Sequence, residues 1–266
     1  MSEEEAVWKR EREATYEDLY RSGRAGVSPE GIAHARSYFY LKDKEYVCRP
    51  YVFPTESDAV YLVAAEIPAD FARVCRELGD DLVGLIPRVS GTDDATGYVN
   101  DQATMHMTIF HTSHPDEMMP NAKSRKEDQI AKVHELASRF PPLPLKPHRI
   151  VLCSSGAIIL LYEAIEDGVA DPYTIDRLRK LAREEFSPMP KRMSKSLMHT
   201  TLARLMDPEI SPEVIEKLHK RCEELTERLH HEHPSVVIQN LWFVEETHHY
   251  WARGPTTVIS LGGASQ

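Results

Sequence analysis

The sequence predicts an α+β fold: a bilobal, pseudo-symmetric sandwich in which two mixed or antiparallel sheets face a central groove, with the helices outside. From residue 58 onward, strand patterns alternate with helix patterns. Hairpin signals within that order exclude an all-parallel sheet. A succession of strand, helix and histidine-bearing strand over 58–112 returns in similar order over 148–206. This weak internal repeat predicts two similar lobes.

The chain divides into an N-terminal extension and a two-lobed domain. Residues 1–57 are expected to be a mainly helical extension, since a charged stretch over 3–21 is followed by Ser28-Pro29-Glu30, which suits the start of a helix. Residues 58–266 form the domain, with lobes over about 58–145 and 146–262. Aromatic residues near the end of the extension are expected to pack it against the domain; they are Tyr38, Phe39, Tyr40, Tyr46 and Tyr51.

Each element of the domain has its own signal. Apolar runs predict strands, proline or serine marks helix starts, a proline cluster after 140 ends one helix, and Ser154-Ser155-Gly156 marks a hairpin turn. The predicted strands are 60–67, 82–86, 105–112, 150–153, 157–165, 197–205, 236–245 and 256–261, and the predicted helices are 68–78, 124–140, 172–186 and 212–231.

Composition excludes several classes of protein. The chain has 266 residues, of which 41% are hydrophobic and 28% charged, as in ordinary globular proteins. We expect no membrane association, because no apolar run is long enough to span a bilayer and the charged start does not fit a signal peptide. The net charge of −10 argues against binding of long duplex nucleic acid. The expected location is the cytoplasm, with the nucleus as the alternative.

Two segments share a histidine pattern. His106 and Thr108 alternate along one predicted strand, and His199 and Thr201 alternate along another, 93 residues later. Residues i and i+2 of a strand point to the same side, so each histidine projects together with its threonine. Their matching places in the repeat predict one shared site.

Other histidines carry weaker signals. A regular strand would point His111 away from His106, and no carboxylate completes a zinc-binding set with His106, His111 and His114. We therefore expect no metal and no cofactor. The His-any-Ser pattern at His233 includes a proline and is expected to lie in a loop.

The paired motifs resemble those of the two-histidine (2H) phosphoesterase superfamily, which includes cyclic nucleotide phosphodiesterases and RNA 2′,5′-ligase-like proteins. The hallmark is a duplicated His-x-Thr/Ser-x on central strands of two lobes. His106-Met107-Thr108-Ile109 fits it fully, and His199-Thr200-Thr201-Leu202 fits it with threonine at the first x. The following Ala203-Arg204 also resembles the family, and the resemblance covers about 58–262.

The residue types suit opening of a cyclic phosphodiester by water. Imidazole titrates near neutral pH, so one histidine can take the proton of water while the other protonates the leaving ribose oxygen. The hydroxyls of Thr108 and Thr201 can donate to the phosphoryl oxygens as charge develops there. The sequence leaves open which histidine is the acid and which is the base.

Further substrate contacts are possible near the second motif. Lys191, Arg192 and Lys195 either steer an anionic ligand or form a solvated loop. Tyr250 and Trp251 precede the last strand and either stack on a base or pack. Arg204 lies on the strand face opposite His199 in a regular strand, so a phosphate contact from it requires a bulge.

The predicted function is metal-independent hydrolysis of a 2′,3′-cyclic phosphate, or a related cyclic phosphodiester, on a nucleotide or RNA end. One alternative is a 2′,5′-RNA ligase or phosphodiesterase, or a 3′-end RNA exonuclease, which the acidic charge disfavours. Another is a non-catalytic module that binds nucleotides or RNA ends, with the extension over 1–57 as a docking arm. The oligomeric state is not predicted.

Overall fold

The computed structural model describes residues 2–165, 171–190 and 197–262. Its helices are α1 (Glu3–Ala25), α2 (Pro29–Arg36), α3 (Ala69–Val83), α4 (Lys126–Ser138), α5 (Thr174–Glu185) and α6 (Pro212–Glu232). Its strands are β1 (Phe39–Lys42), β2 (Glu45–Cys48), β3 (Val60–Glu66), β4 (Gly97–Val99), β5 (His106–Ser113), β6 (Leu143–Leu152), β7 (Ala157–Ala164), β8 (His199–Leu205), β9 (Val236–Ile238), β10 (Asn240–Glu246) and β11 (Thr256–Ser260).

The strands of the domain form two antiparallel sheets. One has the order β11-β10-β3-β5 and the other the order β4-β8-β7-β6-β9. The sheets meet where β5 packs against β8, the two strands that carry the histidine motifs. The predicted α+β class is confirmed.

The sheets draw strands from both halves of the sequence. β4 pairs with β8, although it precedes the first motif in the chain. β10 and β11 close the chain, yet β10 pairs with β3. Each sheet is therefore completed by a segment that lies in the other half of the sequence.

Helices cover the outer faces of both sheets. The buried residues of α3 and α6 pack with those of β6, β7 and β8, and α4 and α5 pack against the four-stranded sheet. The expected strand over 82–86 is wrong, because α3 continues through Val83. Leu78 and Leu82 lie four residues apart on its buried side, and a short apolar run alone does not distinguish helix from strand. Among the described residues, no helix combines the length and the apolar character needed to cross a membrane.

The N-terminal extension is packed into the domain. A capping box between Ser2 and Glu5 starts α1. Tyr16 of this helix packs on the inner face of the five-stranded sheet, and its hydroxyl donates to the carbonyl of Tyr162 at 2.6 Å. A Cβ at Gly23 would lie 1.9 Å from the Leu152 oxygen, so only glycine permits this close approach. The β1–β2 hairpin follows α2 and was not predicted from the sequence.

Candidate active site

The four side chains of the two motifs line one pocket of about 370 Å³. His106 and Thr108 reach it from β5, and His199 and Thr201 reach it from β8. The intervening residues of both strands are buried on the opposite side, as the two-residue period of a strand requires. The structure thus brings together the four residues that the sequence singled out.

Both motif strands contain a bulge directly after the threonine. In β5, Thr108 pairs with Ala64 and Phe110 with Val63, which leaves Ile109 as an extra residue. The pairing of β8 with β7 likewise omits Leu202. A bulge shifts the side-chain alternation by one residue, so side chains beyond it change sides.

The bulges correct the expected orientation of two residues. Arg204 and His111 both line the pocket, on the same side as the motif histidines. The expectation that His111 points away from His106 is wrong, because it assumed a regular strand. For Arg204, the bulge on which a phosphate contact depends is present.

His106 has a defined proton arrangement. Its Nδ1 lies 2.8 Å from the carbonyl oxygen of Thr104. Because a carbonyl only accepts hydrogen bonds, Nδ1 carries a proton, and Nε2 is the nitrogen that can take up or release one. Burial lowers the pKa of His106, while the Thr104 carbonyl and the carboxylate of Glu246 oppose that change.

His199 lies among positive charges. Burial, His106, Arg179 and Arg204 together lower its pKa to about 3. At neutral pH its imidazole is therefore uncharged and able to accept a proton. The two histidines occupy equivalent places in their strands but have different electrostatic surroundings.

Two ionisable pairs flank the histidines. On the β5 side, His111 Nε2 lies 3.5 Å from Oε2 of the buried Glu246. On the β8 side, the Arg204 guanidinium lies 4.1 Å from the centre of the Tyr250 ring. The buried Nε of Arg204 has no hydrogen-bond partner within the described part of the chain. One flank is thus acidic and the other basic.

The extension supplies one wall of the pocket. Tyr38 and Tyr51 line it, and the Tyr38 ring lies 5.3 Å from that of Tyr250. Backbone hydrogen bonds fasten this wall, one from Tyr51 N to the Thr247 oxygen at 2.9 Å and another from His249 N to the Arg49 oxygen at 3.0 Å. This aromatic cluster was expected only to pack, and its place at the site has no local signal in the sequence because it depends on a contact between distant segments.

The other residues that the sequence suggested as substrate contacts do not all lie at the pocket. Tyr250 lines the pocket, whereas Trp251 lines a different cavity of about 660 Å³. Lys191, Arg192 and Lys195 lie outside the described residues. Within the described ranges, no group of three or more histidine, cysteine or acidic residues could hold a metal ion.

Comparison with known proteins gives similarity to solved structures only. No family model and no curated protein matches the sequence. TT0787 of Thermus thermophilus is 16% identical, with 77% of this chain and 100% of that chain covered and a TM-score of 0.43. LigT of E. coli, complexed with 3′-AMP, is 15% identical, with coverages of 77% and 95% and a TM-score of 0.39. Usb1 of Kluyveromyces marxianus, with uridine monophosphate, is 8% identical, with coverages of 77% and 97% and a TM-score of 0.41.

Proposed function

We propose that this chain is a two-histidine phosphoesterase that hydrolyses a 2′,3′-cyclic phosphate, or a related cyclic phosphodiester, without a metal ion. The observation that carries the proposal is the convergence of His106, Thr108, His199 and Thr201 in one pocket. Two proton carriers and two hydroxyl donors are the groups that attack by water on a phosphodiester requires.

The phosphate is held between the two motif strands. Thr108 and Thr201 donate hydrogen bonds to its non-bridging oxygens, where negative charge increases in the transition state. Arg204 adds a cation at the β8 side, and its unpartnered Nε provides a further N–H group. No metal is needed to neutralise the developing charge in this arrangement.

The different surroundings of the histidines support different roles for them in hydrolysis. His199, neutral among guanidinium groups, takes a proton from water as the water oxygen bonds to phosphorus. His106 carries the proton that passes from Nε2 to the ribose oxygen as its bond to phosphorus breaks. Burial lowers the pKa of His106, and the Thr104 carbonyl and Glu246 oppose that change. A substrate anion bound beside the imidazole would favour its charged form further, which is the form the acid role requires. The product is a phosphomonoester, and proton exchange with solvent restores both histidines.

A small nucleotide is the favoured substrate over an RNA polymer. The chain carries a net charge of −10, and Glu246 and Asp116 both line the pocket. A groove for a polyanion requires several phosphate-neutralising cations and gives activity that falls steeply with salt. We expect a shallow dependence of turnover on salt, and a steep one would favour the polymer alternatives.

The test uses the four nucleoside 2′,3′-cyclic monophosphates in the presence of EDTA, with products followed by phosphorus NMR. Ring opening is expected despite the chelator, and His106→Ala and His199→Ala should each lower the rate by about 10²–10⁴-fold. His134→Ala is the matched control, because His134 is exposed on α4. Unchanged rates in both motif variants, or loss of activity with EDTA, would overturn the proposal. Tight nucleotide binding without turnover would favour the binding-module alternative.

A further inference from the structure

A buried guanidinium joins the first motif strand to the segment that leads into the second. Arg179 of α5 is 4% exposed. Its Nε donates to the Ile109 oxygen at 3.0 Å, and its Nη2 donates to the oxygens of Thr108 and Leu197, both at 2.9 Å. Thr108 and Ile109 belong to the first motif, and Leu197 lies two residues before His199. One side chain therefore contacts both motif segments.

The bulge explains why these carbonyls need such a donor. Ile109 is the extra residue of β5 and has no partner on β3. A bulge locally disrupts the ladder of backbone hydrogen bonds, and a buried carbonyl requires a substitute partner. A planar guanidinium presents several N–H groups in a rigid fork, so it can satisfy carbonyls from two separate segments in one fixed geometry.

Arg179 is itself held in place from the extension. Asp176, one turn earlier on α5, attracts its charge and forms a buried ion pair with Arg12 of α1. Burial lowers the pKa of Arg179 to about 10, so it remains protonated at neutral pH. Near Leu197, the backbone N–H of Met198 donates to the Tyr16 hydroxyl at 3.3 Å. The extension thus supports the same segment that Arg179 contacts.

We propose that Arg179 is a positioning residue, which fixes the first motif relative to the second so that both histidines and both threonines face one phosphate. The inference rests on the proposed function. The positive charge behind the pocket also favours the neutral form of His199. Reactions that depend on positioned groups lose about 100-fold for a misplacement of about 1 Å, which sets the size of the expected effect.

The experiment compares Arg179→Lys, Arg179→Met and Leu178→Ala in the full chain. Lysine keeps the charge but has no rigid fork, and methionine removes both. Leu178 is fully buried on the same helix, so its truncation destabilises the fold without removing the contacts to the motif carbonyls. Arg179→Lys is expected to lower kcat by about 10–100-fold with little change in KM, while Leu178→Ala keeps kcat once the folded fraction is taken into account.

The pH profile separates positioning from a purely structural role. In Arg179→Met, the acidic limb of kcat/KM and the titration of His199 followed by NMR should both move to higher pH. In Arg179→Lys, the limb should stay near its wild-type position while kcat falls. If both Arg179 variants match Leu178→Ala in kcat and in the titration of His199, the proposal is wrong. If Arg179→Met does not fold, the kcat of Arg179→Lys compared with that of Leu178→Ala tests the positioning role by itself.

A readout without turnover keeps this proposal distinct from the proposed function. The Cε1–H signals of His106 and His199 are followed as inorganic phosphate is added. Weaker shifts of both signals are expected in Arg179→Lys than in Leu178→Ala. If wild-type protein bound phosphate in this way but opened no cyclic phosphate, the proposed reaction would fail while the positioning role survived. Equal shifts in the two variants would count against the positioning role.

Discussion

The two motif strands have three corresponding positions whose side chains line the pocket, but the groups that surround these positions differ. His106, Thr108 and His111 correspond to His199, Thr201 and Arg204 at a constant spacing of 93 residues. Both strands bulge at the residue after the threonine. The backbone of the site is therefore nearly symmetric, whereas its charges are not.

The carbonyls at the two bulges show the difference most clearly. On β5, the side chain of Arg179 satisfies the oxygens of Thr108 and Ile109. On β8, Asn100 serves the equivalent oxygens, with Nδ2 2.7 Å from the Thr201 oxygen and its backbone nitrogen 2.9 Å from the Leu202 oxygen. The same distortion is stabilised once by a cation and once by a neutral amide. The two histidines can therefore have different roles although the backbones that carry them are similar.

The largest expected effect tests that division of roles directly. A phosphodiester with a 4-nitrophenolate leaving group needs no protonation of the departing oxygen, because the phenolate is a stable anion. We expect His106→Ala to regain most of its lost rate on such a substrate, and His199→Ala to remain about 10²–10⁴-fold slower than wild type. Release of 4-nitrophenolate gives the rates. If His199→Ala regained its rate instead, the acid and base roles would be exchanged. If both variants regained their rates equally, the two histidines would not have distinct roles.

The positions beyond the bulges provide a second test. The Nε of Arg204 has no hydrogen-bond partner among the described residues, whereas His111 lies beside the carboxylate of Glu246. A charge-assisted hydrogen bond contributes about 1.5–3 kcal/mol, so Arg204→Gln should weaken binding of inorganic phosphate by about 10–100-fold. His111→Gln should have a smaller effect. Calorimetric titration measures both, and equal losses would mean that the two flanks hold phosphate alike.

The smallest expected effect concerns stability at acidic pH. The folded-state pKa of His199 is about 3 against 6.5 for the free side chain, so the unfolded chain binds a proton below pH 6.5 that the folded chain does not. Stability conferred by the neutral imidazole is therefore lost as pH falls below about 6.5. Between pH 7 and 5, wild type should lose about 1–2 kcal/mol more than His199→Asn, after allowance for partial exposure.

Urea denaturation at the two pH values measures this difference. His134→Asn, at an exposed position on α4, is the control and should behave as wild type does. A pH dependence in His199→Asn equal to that of wild type would show that His199 does not titrate differently in the folded and unfolded states. The electrostatic contrast between the two motifs would then have to be abandoned.

Much of the fold could be predicted from local patterns. The apolar stripe and serine cap of α6 predicted it to within one residue at its C-terminal end, and the turn at Ser154-Ser155-Gly156 predicted the β6–β7 hairpin. The strand predicted over 82–86 was wrong because the apolar run there is too short to show either a helical or a strand period. The β1–β2 hairpin was missed because its strands carry Phe39, Tyr40 and Tyr46 of the aromatic cluster, a composition that also fits simple packing.

The site was predictable where two distant segments repeat the same spacing. Alternation placed each threonine beside its histidine, and the structure has both pairs in one pocket. Alternation also misplaced His111, because a bulge leaves no mark in the sequence. The shared spacing of 93 residues, extended past the threonines, pairs His111 with Arg204, but only the strand pairings show that both side chains turn toward the pocket.

The sequence by itself determined which residue types could carry acid-base chemistry on a phosphate and which strand faces would present them. Only the tertiary structure decided the electrostatic surroundings of the two histidines. Arg179 contacts Thr108 from 71 residues away and Asn100 contacts Thr201 from 101 residues away, while Glu246 faces His106 from β10, and these approaches exist only after the sheets and α5 have packed. Electrostatic influence depends on distance and burial in the folded protein, and neither is encoded in the spacing of a local motif.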